Sequence, residues 1–180
     1  GDGLAILTTA TEHPEMVGAE YTDVFRRLGV QNVSVLNINT RRDANDPAMC
    51  AAIGRARCVF LTGGDQLRIT SILGGTAASQ ALQDLYMAGG VIMGTSAGAS
   101  VMSSTMVVQG NDEEPARKCT LKMAPGLGFL ENAIIDQHFD QCGDIAETQI
   151  EALAGNRVRT MGRIADECQS LSSDMRGVMK

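Results

Sequence analysis

Tryptophan is absent from this 180-residue chain and only 3% of its residues are aromatic, so its core must rest on Ile, Leu, Val, Ala and ten Met. Cations are also scarce. Fifteen Lys and Arg face 21 Asp and Glu, and the net charge of −6 removes the basic surface that non-specific nucleic-acid binding needs. No apolar run approaches the roughly eighteen residues that span a bilayer, so no membrane association is expected. No basic-then-apolar segment opens the chain, which begins at Gly1 just before a strand. Cys50, Cys58, Cys119, Cys142 and Cys168 form no C-x-x-C pair. Their odd number and wide spacing argue against a disulfide framework or a zinc site, and read as inert thiols in a reducing, cytoplasmic setting. His13 and His138 are the only histidines.

What is present is alternation. Leu4-Ala5-Ile6-Leu7-Thr8, Val33-Ser34-Val35-Leu36-Asn37-Ile38, Cys58-Val59-Phe60-Leu61-Thr62 and residues 91–94 read as buried strands. Between them, residues 15–28, 46–56 and 67–87 read as helices, the last interrupted at Gly74-Gly75. This order predicts an α/β domain with a parallel sheet and helices on both faces. Ligands collect at the carboxyl ends of such strands, so the loops after Thr8, Thr62 and Thr95 are expected to share a cleft. Beyond them, residues 105–108 read as a short strand, 110–118 as an exposed loop, and 133–136 as a strand. Residues 144–153 read as a helix and 158–164 as a further strand, while 170–180 carry no pattern. Without repeats or linkers, residues 1–180 are expected to form a single domain.

Gly94-Thr95-Ser96-Ala97-Gly98 stands at the junction between the fourth strand and the small residues that follow it. A serine flanked by glycines at a strand-to-helix turn reads as a nucleophile elbow. The turn is so sharp that side chains two positions either side of the serine would strike backbone. The Ser96 Oγ then stands clear of the sheet, and the Ala97 N–H is placed to bind a developing oxyanion. Such a serine needs a base. His13, in a loop before Pro14, reads as solvated, whereas His138, within Asp136-Gln137-His138-Phe139, reads as the base. Asp136, Asp140, Asp166 and Glu167 are candidates for the acid that orients it. In Gly63-Gly64-Asp65-Gln66, two glycines permit close backbone approach and can complete an oxyanion hole. That loop lacks the Lys-Ser/Thr of a phosphate-binding loop.

Taken together, Gly63-Gly64-Asp65-Gln66-Leu67-Arg68, Gly94-Thr95-Ser96-Ala97-Gly98-Ala99-Ser100, Met123-Ala124-Pro125-Gly126-Leu127-Gly128 and Ile135-Asp136-Gln137-His138-Phe139 resemble the motifs of the cyanophycinase family, from about residue 4 to residue 167. These are serine peptidases of the dipeptidase E group. The resemblance implies a three-layer α/β sandwich with a mostly parallel sheet, like class I glutamine amidotransferases and truncated at both ends. It implies a serine exopeptidase that releases β-Asp-Arg dipeptides from cyanophycin, a poly-aspartate with arginine branches, without metal or organic cofactor. By motif, Ser96 is the nucleophile, His138 the base and Glu167 the acid. Gly64 and Ala97 supply oxyanion N–H groups, and Gln66, Asp136 and Gln137 line the substrate pocket.

Two departures shape the expectations. Gln141-Cys142-Gly143-Asp144 stands where the family commonly has Gln-Arg-Gly-Arg. Loss of two cations weakens the grip on substrate carboxylates. An Asp-X dipeptidase of the same fold, or a catalytically impaired binding relic, therefore stays open beside the cyanophycinase-like activity. The family normally has another strand and helix before residue 4 and further β-structure after residue 167; without them sheet edges would be exposed, so a homodimer is expected.

Overall fold

The structure, a computed structural model, describes residues 3–109 and 122–135. Four short apolar segments pair side by side, all parallel: β1 (Leu4–Leu7), β2 (Val33–Leu36), β3 (Cys58–Leu61) and β4 (Val91–Gly94). Their order is β2-β1-β3-β4. Every residue of β1 is buried, as a central parallel strand covered on both faces must be.

Alternation of side chains along the strands divides the core into two layers. On one face, Phe60 of β3 receives Tyr21 and Phe25 of α1 (Pro14–Arg27), with ring centroids 4.8 and 5.1 Å apart. Gly18 lets α1 lie close to the sheet, since a Cβ there would come 2.6 Å from Val35 Cγ1. On the other face, Ala5, Leu7, Leu36, Val59 and Leu61 form one cluster with the apolar sides of three helices. These are α2 (Pro47–Arg55), α3 (Gln66–Leu73) and α4 (Ala77–Met87), contributing Ile53, Ile69, Leu73 and Leu82. Each fully buried Leu or Ile contributes about 1.5–3 kcal/mol.

Helix boundaries follow side-chain chemistry. Asp46 accepts from Ala48 N at 2.7 Å, Thr76 Oγ1 from Ser79 N at 3.4 Å, and Asp65 caps α3. A 3-10 turn at Asp43–Asn45 precedes α2 and was not anticipated from sequence. It braces the neighbouring helices: Arg41 Nη1 donates to the carbonyls of Ser71 and Gly74, and Asn45 Oδ1 accepts from Ala77 N.

After β4 comes a single helical turn, α5 (Ala97–Ser100), and then β5 (Thr105–Gln109). β5 leaves the parallel sheet and pairs antiparallel with β6 (Lys122–Pro125), a strand the sequence reading did not anticipate. The strand expected at 133–136 is corrected: residues 133–135 are in no strand, and Asp136 lies outside the described residues. The expected loop at 110–118, helix at 144–153 and strand at 158–164 also lie outside them.

Among the described residues, β4 pairs with β3 alone, and its first residue, Val91, is exposed. No helix among them is long and apolar enough to cross a membrane. Cys50 and Cys58 are free thiols. Burial pushes the Cys58 thiol up, which keeps it protonated and unreactive near neutral pH.

Candidate active site

The site begins with a turn that the chain can make only by packing backbone on backbone. Thr95 N–H donates to Leu61 O of the neighbouring strand at 3.2 Å, extending the β3–β4 ladder by one residue. The chain then reverses within two residues. Gly98 N–H donates to Thr95 O, and the Ala99 and Ser100 N–H groups both donate to Ser96 O, each at 2.9 Å. A Cβ on Gly94 would strike the carbonyl of Gly98, and one on Gly98 would strike the carbonyl of Leu61. The glycines two positions either side of the serine are thus a steric requirement of the turn.

Ser96 itself sits at φ 50°, ψ −117°, backbone angles that glycine adopts readily and serine does not. Strain of this kind costs about 1–3 kcal/mol and persists where surrounding contacts enforce it. Ser96 is half-buried at the carboxyl end of β4. The next N–H, that of Ala97, opens α5, where first-turn amides have no intrahelical acceptor.

The Gly63-Gly64 loop lies against this turn. A Cβ on Gly63 would stand 3.4 Å from Ser96 Cβ. Gly64 has φ +141°, and a Cβ there would strike the carbonyl of Ala10, so only glycine fits. Asp65 fixes the far side of the loop. Its N–H donates to Ala10 O at 2.9 Å, and its Oδ1 accepts from Leu67 N at 2.7 Å and Arg68 N at 3.3 Å. Arg68 Nε then donates to Thr9 O at 3.0 Å. The loops after β1, β3 and β4 therefore meet at one edge of the sheet, as expected. Replacing Asp65 with alanine removes the cap of α3 and should lower stability by about 1 kcal/mol. A thermal melt should then fall by roughly 2–4 °C.

The other side of the elbow is held by a clamp. Leu127 N–H donates to Val101 O, Leu130 N–H to Met102 O and Gly128 N–H to Ser103 O, while Gly126 N–H donates to Ser104 O. Gln83 Nε2 secures Leu127 O at 2.7 Å. The Pro-Gly-Leu-Gly motif at 125–128 thus wraps the end of α5. Ile135 N–H donates to Ser103 Oγ at 3.2 Å, so the segment leading into Asp136-Gln137-His138 starts from the same anchor.

Ser96, Ala97, Gly64 and Gln66 are thus brought to one end of the sheet. Gln66 Nε2 donates to the carbonyls of Val107 (3.3 Å) and Val108 (3.5 Å), tying α3 to β5. His13 is exposed, as its loop position predicted, and stands at the N-cap position of α1 without a side-chain cap bond. His138, Asp136, Gln137, Asp140, Asp166, Glu167, Cys142 and Asp144 lie outside the described residues. Sequence reasoning missed the hydroxyls of Thr9, Thr62 and Ser100, which are buried near these strand ends without a hydrogen-bond partner among the described residues. Nothing in residue type distinguishes them from threonines and serines elsewhere. Among the described residues, no three His, Cys, Asp or Glu side chains converge to hold a metal ion.

Comparison with known proteins agrees with this geometry. Residues 5–172 match the sequence profile of Peptidase family S51. A cyanophycinase of Synechococcus elongatus is 32% identical over 173 residues, covering 95% of this chain and 53% of that protein. A cyanophycinase of Geminocystis herdmanii (strain PCC 6308) is 31% identical, covering 95% of this chain and 63% of that protein. The chain thus spans about half to two thirds of the length of these curated relatives. A crystal structure of a peptidase from an acI-B1 Actinobacterium superposes with TM-score 0.63 at 25% identity, over 82% of this chain and 60% of that one. A putative peptidase E from Listeria monocytogenes EGD-e shares the fold, with TM-score 0.57 at 15% identity over 89% of this chain and 78% of that one. A strained serine turn between enforced glycines, backed by a Gly-Gly loop and matched to one profile almost end to end, places the chain in peptidase family S51.

Proposed function

We propose that the chain is a serine exopeptidase that releases β-Asp-Arg dipeptides from cyanophycin through an acyl-enzyme. The observation that carries this reading is Ser96 at φ 50°, with the first amide of α5 on one side and the Gly63-Gly64 loop on the other. Ser96 stands in strained backbone at a strand end and makes no side-chain cap bond to the helix it opens, which supports a nucleophile's role. His138 takes the Ser96 proton as Oγ attacks the scissile carbonyl, and Glu167 orients the imidazole. The N–H groups of Gly64 and Ala97 receive the oxyanion. His138 returns the proton to the departing amine, and water then hydrolyses the ester by the same path in reverse. Every step is proton transfer and acyl transfer, and none calls for a metal or an organic cofactor.

On substrate, the similarity to cyanophycinases supports β-Asp-Arg units of cyanophycin. Gln66, with Asp136 and Gln137, lines the pocket in this reading. The Gln66 NH₂ is engaged with β5, so its Oε1 is the atom left to accept from substrate. Cys142 and Asp144 favour a second reading, an Asp-X dipeptidase of the same fold, because a thiol and a carboxylate cannot hold substrate carboxylates as arginines do. A panel of Asp-X dipeptides and a short oligomer of β-Asp-Arg units joined through the aspartate backbone separates the two. The first reading expects kcat/KM for release of β-Asp-Arg from the oligomer at least about tenfold above any dipeptide, about 1.4 kcal/mol of discrimination. Equal or greater rates on α-Asp-X would replace it with the second.

A further inference from the structure

An open groove of about 860 Å³ runs along α3 beside the Gly63-Gly64 loop, and none of the roles assigned above uses it. Glu12, Arg68 and Ser71 line it, as do Pro125 and Gly126. It also reaches Ala10, the residue whose carbonyl packs against Gly64. The groove thus reaches the residue packed against Gly64, whose neighbour Gly63 faces Ser96.

Two arginines approach α3, and they are used differently. Arg41 places Nη1 on the carbonyls of Ser71 and Gly74, so its fork is committed to bracing the helix end. Among the described residues, Arg68 is instead held through Nε, to Thr9 O, with its own backbone N–H bonded to the Asp65 cap. A guanidinium bonded through Nε keeps its end-on Nη1/Nη2 fork, which opens on the side of Cζ away from Nε and matches a carboxylate. Arg68 is half-buried on a rigid helix, so less side-chain freedom is lost when a ligand binds. Asp65 has one carboxylate oxygen spent on capping, whereas Glu12 is exposed in the loop after β1. The groove therefore carries one positioned cation, Arg68, and two exposed anions, Glu12 and Asp65.

We propose that this groove is a substrate subsite, in which the Arg68 fork receives a carboxylate and Glu12 the cationic end of the same zwitterionic peptide branch. The subsite rests on the peptidase reading for its claim that the ligand is a peptide. Arg68 is a specificity residue, distinct from the groups that move protons.

Calorimetry on the Ser96→Ala chain tests it, with β-Asp-Arg and its C-terminal carboxamide as probes. The carboxamide should bind roughly ten- to a hundredfold more weakly, the range for losing a charge-assisted pair. In Arg68→Gln the two probes should bind alike, and Arg68→Lys should restore part of the difference. With β-Asp-Leu as third probe, the preference for arginine should shrink in Glu12→Gln. Equal binding of acid and amide by the chain that retains Arg68 overturns the proposal without relying on any Arg68 variant. An acid–amide difference that survives in Arg68→Gln, or no binding of either probe, overturns it too. Failure of the peptidase reading would show separately, as absent turnover by the unmodified chain while the acid–amide difference persists.

Discussion

Replacing Ser96 with alanine should reduce kcat on a β-aspartyl peptide by roughly 10⁴-fold or more, leaving only what the oxyanion donors and binding supply. The comparison with Ser96→Gly is informative, because the two variants lose the same hydroxyl and differ in backbone strain. Alanine at φ 50°, ψ −117° keeps the strain, whereas glycine relieves it. The glycine variant should be inactive yet more stable than the alanine variant by about 1 kcal/mol, a melting difference of roughly 2–4 °C. Paired kinetics and thermal melts check both halves. A glycine variant no more stable than the alanine variant would mean that the elbow stores no strain.

The second large effect falls on stability. Gly98→Ala puts a methyl group into the carbonyl of Leu61, on the strand next to the elbow. Backbone atoms on both sides cannot move aside as a flexible side chain would, so β3, β4 and α5 must separate. The expected cost is about 3 kcal/mol, a large share of the roughly 5–15 kcal/mol that holds a domain together. Thermal melts should fall by roughly 6–12 °C. Activity should fall further than the loss of folded protein explains, because the Ala97 N–H shifts with the turn. Gly54→Ala is the control. A Cβ at Gly54, in the last turn of α2, meets nothing within 4 Å, and the change should be neutral or slightly stabilising.

These two variants also show which parts of the fold were legible in the sequence. The parallel sheet was readable because each strand is a short apolar run ended by a turn, and α2, α3 and α4 carry their own side-chain caps. The elbow was readable because its glycines are demanded by contacts within a few residues, apart from the Leu61 carbonyl. By contrast, β6 was missed because Lys122-Met123-Ala124-Pro125 has neither alternation nor β-branched residues, and contains a proline. Its pairing with β5 depends on a partner contributed from across an intervening segment.

The opposite error came at 133–135. Ala133-Ile134-Ile135 has strand composition, yet its described contact is one amide on the Ser103 hydroxyl. The clamp of residues 126–130 on the end of α5 was invisible for a different reason. Its bonds are backbone to backbone, and such bonds leave no mark on residue type. The Arg68–Thr9 contact joins residues 59 apart, and only the folded chain brings them together.

The central claim is that Ser96 is the activated nucleophile of this chain, and covalent labelling tests it most directly. A fluorophosphonate probe, followed by digestion and peptide mass spectrometry, should place one adduct on the peptide containing Ser96. The adduct should be absent from Ser96→Ala and strongly reduced in His138→Ala. An unmodified Ser96 peptide, or an adduct on another serine that persists in Ser96→Ala, would contradict the account.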